Sequence, residues 1–186
     1  MTLRLHTIIA STRPGRVGPS VADWFHEQAA TRSAFDTHLV DLADFGLPVY
    51  DEPKHPRLRD YAYAHTRRWS ASVAAADAYV FVVPEYNFGP TPALLNALNY
   101  VYNEWNYKPC GFVSYGGISG GLRAVQMTKQ IVTTLKMMPV LEAVVVPMVA
   151  QQVKDGVFSP NDMQKQGAGD LLAELAKWGG ALKTLR

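Results

Sequence analysis

The sequence has very little cysteine and little excess charge. Among its 186 residues there is one cysteine, Cys110, so no disulfide can form within the chain, and we expect a reducing, cytoplasmic environment. The formal net charge is only +2, which argues against a nucleic acid as partner. No apolar run approaches the roughly 18 residues that cross a bilayer, and the N-terminus lacks a signal-peptide pattern. We therefore expect neither a nucleic-acid partner nor a membrane partner.

Several motifs of catalytic and metal sites are also missing. The five histidines show no metal-ligand spacing, so the sequence predicts no metal site. Ser11 has no G-x-S-x-G pattern around it, which argues against an α/β-hydrolase. The stretch around it matches neither of the best-known phosphate loops, G-x-G-x-x-G and G-x-x-x-x-G-K-[ST]. No residue is singled out as a catalytic acid, base or nucleophile, and Cys110 is expected to be a small core residue.

What the sequence does contain is enough apolar residues for one well-packed domain. Hydrophobic residues make up 48% of the chain and charged residues 18%, which is typical of a globular protein. Short runs rich in β-branched residues alternate with longer segments of helical period, and this predicts a parallel sheet covered on both faces. We expect a single domain over residues 1–186, an α/β fold with a flavodoxin-like, doubly wound, five-stranded parallel sheet in the order 2-1-3-4-5 and helices on both faces.

The predicted elements alternate along the whole chain. The strands are expected over residues 3–10, 38–41, 77–84, 109–115 and 141–147. The helices are expected over residues 18–31, 58–76, 91–102, 120–138 and 162–182. Prolines and acids interrupt both periods over residues 41–56, which we therefore predict to be a long loop.

Three loops of unusual composition follow the first, third and fourth predicted strands. They read ASTRPGR (10–16), PEYNFGPTP (84–92) and SYGGISGG (114–121). In open α/β sheets, ligands bind beyond the carboxyl ends of the strands, where the strand order switches between the first and third strands. We therefore expect the ligand site where these three loops meet.

The first loop has the composition of an anion site. It combines the hydroxyls of Ser11 and Thr12 with the cations Arg13 and Arg16. A helix that begins near Gly18 would add amide donors and partial positive charge at its N-terminus. A bound phosphate could therefore interact with the side chains of the loop and with the amides of the helix. A surface turn with solvated arginines is the alternative that the residues alone leave open.

The second and third loops suit a flat heteroaromatic ring. Glu85, Tyr86 and Asn87 follow directly on a buried strand, in a loop stiffened by prolines. The third loop is rich in glycine, which lets the main chain approach a ligand closely. Packing of Tyr86 in the core and tight turn geometry at the glycines are the structural alternatives.

These stretches resemble the NADPH-dependent FMN reductases of flavodoxin-like fold, a family that includes NAD(P)H quinone, azo-dye and chromate reductases. The resemblance rests on STRPGR, on PEYNFGPTPALLNALNY and on SYGGISGGLRA, and it spans roughly residues 3–146. It implies FMN as cofactor and NADPH or NADH as co-substrate. The implied cofactor-binding residues are Ser11, Arg13, Arg16, Val17 and Gly18 at the phosphate, Pro84, Glu85, Tyr86 and Asn87 along the ring, and Ser114, Gly116 and Gly117 at its other edge.

The resemblance implies an FMN-dependent NAD(P)H oxidoreductase that passes a hydride through FMN to a small-molecule acceptor. Quinones are the expected acceptors, with free flavin, azo compounds and metal oxyanions as further ones. Because the cofactor carries the chemistry, the protein needs no obvious catalytic acid. A flavodoxin-like electron carrier and a redox-sensing FMN-binding protein, both without pyridine nucleotide activity, are the alternatives.

Two finer expectations accompany the resemblance. Members of the family form dimers or tetramers, so we expect a homodimer or homotetramer with the aromatic stretch NYVYNEWNY, residues 99–107, in its interface. Arg13 lies nearer the end of the first strand than Arg16. We therefore expect Arg13 to contribute more to the affinity for FMN.

Overall fold

The computed structural model describes residues 2–186, in which five parallel strands form one sheet in the order β2-β1-β3-β4-β5. The strands of this sheet are β1 (Leu3–Ile9), β2 (Phe35–Asp41), β3 (Ala78–Pro84), β4 (Pro109–Tyr115) and β5 (Met138–Val146). The helices are α1 (Gly18–Ala30), α2 (Ala64–Ala75), α3 (Pro92–Tyr100), α4 (Leu122–Thr134) and α5 (Asp162–Leu182). The predicted strand order and doubly wound fold are confirmed.

Each face of the sheet has its own hydrophobic core, because successive side chains of a strand point to opposite faces. On β3, Tyr79 and Phe81 pack into the core that is covered by α2, α3 and α4. The alternate residues Val80 and Val82 pack into the core that is covered by α1 and α5. All seven residues of β3 are buried, as an uninterrupted apolar run in a central parallel strand predicts.

The second helix begins six residues later than predicted. The chain first makes a short 3₁₀ turn at Pro56–Leu58 and leaves it through Arg59 in the left-handed conformation, with φ of 54°. The buried carboxylate of Glu52 then accepts hydrogen bonds from the amides of Ala62 and Tyr63, at 2.8 and 3.1 Å. These bonds hold the chain extended up to α2. The helical period of the sequence does not reveal this long-range contact.

The last third of the chain contains a short hairpin that was not predicted. A short antiparallel hairpin of β6 (Val153–Lys154) and β7 (Val157–Phe158) follows β5. Phe158 packs edge-on against Trp24 of α1, with ring centroids 5.3 Å apart. The predicted bounds of α5 are confirmed, and Asn161 begins that helix with a capping box.

The aromatic stretch 99–107, which is predicted to lie in a subunit interface, has its central residues packed into the core, whereas Asn99 and Tyr107 at its ends are exposed. Tyr100, Val101 and Trp105 have no exposed area. The ring of Trp105 packs edge-on against Tyr79 of β3, with centroids 4.9 Å apart, because the chain here crosses beneath α2 towards β4. Cys110 is also fully buried, which confirms it as a core residue, and burial raises the pKa of its thiol.

None of the helices between residues 2 and 186 has the length and apolar character required to cross a membrane.

Candidate functional site

The three loops after β1, β3 and β4 lie together at the carboxyl edge of the sheet, and we call this edge the rim. Thr91 donates a hydrogen bond to the carbonyl of Ala10, at 2.5 Å. The Tyr115 hydroxyl donates to Ser11 Oγ at 3.2 Å, and the Glu85 amide donates to the Tyr115 carbonyl at 3.2 Å. Burial raises the pKa of Tyr115 to about 12, so its phenol keeps its proton at neutral pH. The predicted juxtaposition of the loops is present.

The loop after β1 has the features of an anion site. Arg13 is exposed, donates only to the neighbouring Pro14 carbonyl at 3.3 Å, and takes part in no ion pair within residues 2–186. At the start of α1, no side chain in the described part of the chain caps the first amides. Uncapped amides and the helix dipole favour a bound phosphate.

Ser20, in the first turn of α1, has a buried hydroxyl without a hydrogen-bond partner within residues 2–186. The sequence analysis missed Ser20, although a hydroxyl at the third position of a predicted helix is a usable signal.

Two predicted phosphate residues, Arg16 and Ser11, are engaged with the protein itself. The guanidinium of Arg16 forms an ion pair with Asp41 at the end of β2 and lies 3.5 Å from the Thr12 carbonyl. Ser11 has no exposed area, because Gly18 lies directly over it. A Cβ at Gly18 would clash with Ser11 Oγ and would lie 2.7 Å from the Tyr115 hydroxyl, so only glycine fits there.

The loop after β3 contains a strained turn, which we call the ring turn and define as residues 86–89. The amide of Tyr86 donates to the Gly89 carbonyl and the amide of Gly89 donates to the Tyr86 carbonyl, both at 2.9 Å. Between them, Asn87 and Phe88 both have positive φ, of 50° and 69°. The left-handed conformation costs about 1–2 kcal/mol for a residue such as Phe88 and less for Asn87, because asparagine adopts it more readily. Asn87 and Phe88 are exposed, and Pro84 is the buried last residue of β3.

The loop after β4 presents main chain at the rim. Gly116 and Gly117 accept hydrogen bonds from the amides of Val149 and Met148, at 3.0 and 2.9 Å. Gly117 is exposed, and a Cβ there would meet no atom within 4 Å. Ser114 is fully buried, and its hydroxyl has no hydrogen-bond partner in the part of the chain that the structure describes. The Gly117 amide therefore has no main-chain partner within residues 2–186, whereas the Gly116 amide donates to the Val146 carbonyl and the Ser114 side chain is buried.

The carboxylate of Glu85 connects the second loop to the third. It accepts hydrogen bonds from the Ser119 hydroxyl at 2.8 Å and from Arg123 Nε at 2.8 Å. Burial disfavours the charged carboxylate, but the hydrogen bonds from Arg123 and Ser119 outweigh burial and hold the pKa of Glu85 below its ordinary value. The sequence indicated Glu85 at the ring and gave no role to Arg123, which lies 38 positions away.

The match of this chain to a known family is extensive. A profile described as NADPH-dependent FMN reductase matches residues 3–151. The chain belongs to the NADPH-dependent FMN reductase family. This reductase is an oxidoreductase of a family that uses NAD(P)H and FMN, and the predicted resemblance is confirmed. The anion features at one end of the rim and the exposed main chain at the other fit such a cofactor.

Individual relatives cover most of the reductase. It is 36% identical over 166 residues to the NAD(P)H-dependent FMN reductase ntnL of Nectria sp, with 83% of each chain covered. It is 38% identical over 164 residues to the NAD(P)H-dependent FMN reductase C4B3.06c of Schizosaccharomyces pombe, with 86% of this chain and 80% of the relative covered. The solved structure of the NAD(P)H:(acceptor) oxidoreductase FerB from Paracoccus denitrificans superposes with a TM-score of 0.75 at 19% identity, covering 97% of this chain and 98% of that one, and so has the same fold.

Proposed function

We propose that this reductase passes a hydride from NAD(P)H through FMN to a quinone or a similar small acceptor. The observation that carries the proposal is the rim, where an exposed cation and uncapped helix amides lie at one end and two main-chain loops at the other. Such a rim matches a ligand with a phosphate at one end and a flat ring at the other. A single FMN-binding domain over residues 1–186 and a cytoplasmic location are part of the same proposal.

At the phosphate end, we assign direct contact to Arg13 and to the main chain around Val17 and Gly18. A charge-assisted hydrogen bond from an exposed guanidinium to a phosphate is among the stronger polar contacts in proteins. Arg16 contributes positive charge from one side, although Asp41 already neutralises much of it. We assign a supporting role to Ser11, whose hydroxyl is bonded to Tyr115 beneath the loop.

At the ring end, the residues that would line the cofactor are Pro84, Glu85, Tyr86 and Asn87 on one side and Gly116 and Gly117 on the other, whereas the predicted ligand Ser114 is buried beneath them. FMN, when bound, supplies the ring that accepts and donates hydride. The protein binds and orients that ring. Within residues 2–186 the amides of Asn87 and Gly117 donate to no main-chain carbonyl, so they can donate to a ligand and stabilise negative charge on it. Glu85 acts through its main chain, because its carboxylate is bonded to Ser119 and Arg123.

We propose that the homodimer or homotetramer forms through an exposed apolar patch beside the ring end. The patch consists of Phe88, Ile118, Leu122, Met127 and Met148, of which Ile118 is 92% exposed. It adjoins the rim, because the Met148 amide is bonded to Gly117 and the Met127 side chain lies against Gly89. Apolar residues clustered in this way are typical of protein interfaces.

Light scattering tests the assembly. Wild-type protein should have the mass of two or four chains, and Ile118→Asp should shift it towards one chain, because a carboxylate would be buried in the interface. A wild-type monomer would contradict the proposal. So would an Ile118→Asp variant that keeps the full assembly.

The proposed reaction is tested by the absorbance spectrum of the purified protein after addition of FMN. Protein that binds FMN should show shifted flavin bands, and NADPH added without oxygen should bleach them. A quinone added next should restore the bands. Protein that takes up no FMN would refute the proposal. Bound FMN that NADPH leaves oxidised would instead favour the electron carrier.

A further inference from the structure

We propose that Arg123 is a positioning residue that holds the ring turn in its strained conformation, because its side chain contacts both Glu85 and Phe88. We call the group of Glu85, Arg123 and Phe88 the clamp. The inference rests on the proposed function only for the identity of the ligand. The contacts of the clamp lie entirely within the chain.

The first half of the clamp is the bond between Arg123 and Glu85. Arg123 donates to Glu85 through Nε at 2.8 Å and through its own amide at 3.2 Å, and a terminal nitrogen of the guanidinium forms an ion-pair contact with the same carboxylate at 2.5 Å. With the Ser119 hydroxyl at 2.8 Å, the carboxylate accepts hydrogen bonds from three groups of the third loop and α4. The Glu85 side chain is only 8% exposed. The Arg123 side chain is 49% exposed, so the pair is shielded on the carboxylate side only, and its hydrogen bonds distinguish it from simple exposed pairs that contribute little.

The second half of the clamp is the contact between Arg123 and Phe88. The guanidinium carbon lies 3.7 Å from the centroid of the Phe88 ring, a close cation–π geometry. Within one chain Phe88 is otherwise 63% exposed and has φ of 69°, so Arg123 adds a side-chain contact to the two main-chain hydrogen bonds of the ring turn. One guanidinium therefore contacts the residue before the ring turn and a residue within it.

The clamp acts on the two residues of the ring turn that have positive φ. Of these, Phe88 carries the backbone strain and would gain by returning to negative φ, and that rotation would reorient the peptide groups of the ring turn at the rim. Fixing the conformation in advance removes an ordering cost from ligand binding. The structure thus gives Arg123 a function at the ring end without contact between its side chain and the ligand.

The experiment compares wild type with Arg123→Ala, Arg123→Lys and the control Gln126→Ala, an exposed residue on the same helix. In the apoprotein, hydrogen exchange at the Tyr86 and Gly89 amides reports on the ring turn directly. Titration with FMN and with riboflavin, followed by flavin fluorescence, reports on the ligand. Steady-state kinetics with NADPH and NADH separate KM from kcat.

Arg123→Ala should speed exchange at both amides and weaken FMN and riboflavin alike, by roughly tenfold, because the ligand must then select a turn conformation that is no longer the main one in the free protein. The exchange rates and flavin affinities of Arg123→Lys should lie between those of wild type and Arg123→Ala. Lysine keeps the positive charge but loses the planar guanidinium, with its several donors and its stacking on Phe88. Gln126→Ala should match wild type.

Two results would overturn the inference. Unchanged exchange and unchanged flavin affinity in Arg123→Ala would make the clamp a surface contact without consequence. A raised KM for NADPH alone, with NADH and flavin unaffected, would make Arg123 a direct ligand of the nucleotide's extra phosphate. If wild type binds no flavin but Arg123→Ala still speeds exchange, the proposed function fails and the clamp stands.

Discussion

The phosphate end and the ring end of the rim are built in different ways. At the phosphate end, Arg13 and Gly15 are exposed, and a Cβ at Gly15 would meet no atom within 4 Å. At the ring end, Gly121 is packed so closely that a Cβ would lie 2.8 Å from the Tyr115 amide nitrogen, and Glu85 is held by Arg123. Around Arg13 and Gly15 the phosphate end therefore depends on charge and open main chain, although Gly18 at its base is closely packed. The ring end depends on packing that exists before any ligand binds.

The same substitution at the two ends should give the largest contrast. Gly15 and Gly121 both have positive φ, of 69° and 86°. Gly121→Ala should destabilise the protein by about 2–4 kcal/mol, because backbone strain adds to a clash with the main chain of β4. Gly15→Ala should cost only the strain of about 1–2 kcal/mol. Urea denaturation of both apoproteins measures the difference, and equal losses would show that the ends are packed alike.

The two arginines of the first loop test the phosphate end by itself. Arg13→Ala should weaken FMN binding by roughly tenfold, the loss expected for one charge-assisted hydrogen bond. Arg16→Ala should weaken it less, because Asp41 already holds that guanidinium. Flavin fluorescence during titration of each apoprotein gives both affinities. Equal or reversed losses would mean that Arg16 turns from Asp41 to the phosphate.

The pH dependence of ligand affinity should also differ between the phosphate end and the ring end. A phosphate monoester takes its second charge near pH 6, so FMN affinity should rise between pH 5 and 7, and the rise should shrink in Arg13→Ala. Glu85 stays ionised over this range, because its pKa lies below the ordinary value of 4.5. The carboxylate side of the clamp is therefore kept ionised between pH 5 and 7 and is lost only as the pH falls through the lowered pKa of Glu85.

Riboflavin, which has no phosphate, isolates the ring end in the same experiment. Its affinity should be constant from pH 5 to 7 and should decrease only in more acidic solution. A riboflavin affinity that changes with pH as FMN affinity does would place the titrating group in the protein and not on the phosphate.

The sequence predicted the sheet and the three loops well, because both depend on local patterns. The apolar run of β3 and the glycines at 116 and 117 can be identified without knowing what lies across from them. The direction in which a side chain points cannot be identified from such local patterns. Ser11 and Ser114 look like ligands in the sequence but are buried in the structure.

The sequence likewise did not predict contacts between positions that are far apart in the chain. Trp105 fills the core against Tyr79, although its aromatic neighbourhood suggested an interface. Arg123 meets Glu85 across 38 positions, and no periodic pattern links the two. Such pairings are set by the fold as a whole, so local spacing does not contain them.

The most direct test of a two-ended site is a titration of three apoproteins, namely wild type, Arg13→Ala and Arg123→Ala, with FMN and with riboflavin. Wild type should bind FMN more tightly than riboflavin. Arg13→Ala should lose affinity for FMN and keep its affinity for riboflavin, whereas Arg123→Ala should weaken both ligands by the same factor. Equal weakening of both ligands in Arg13→Ala, or a loss confined to FMN in Arg123→Ala, would contradict this account.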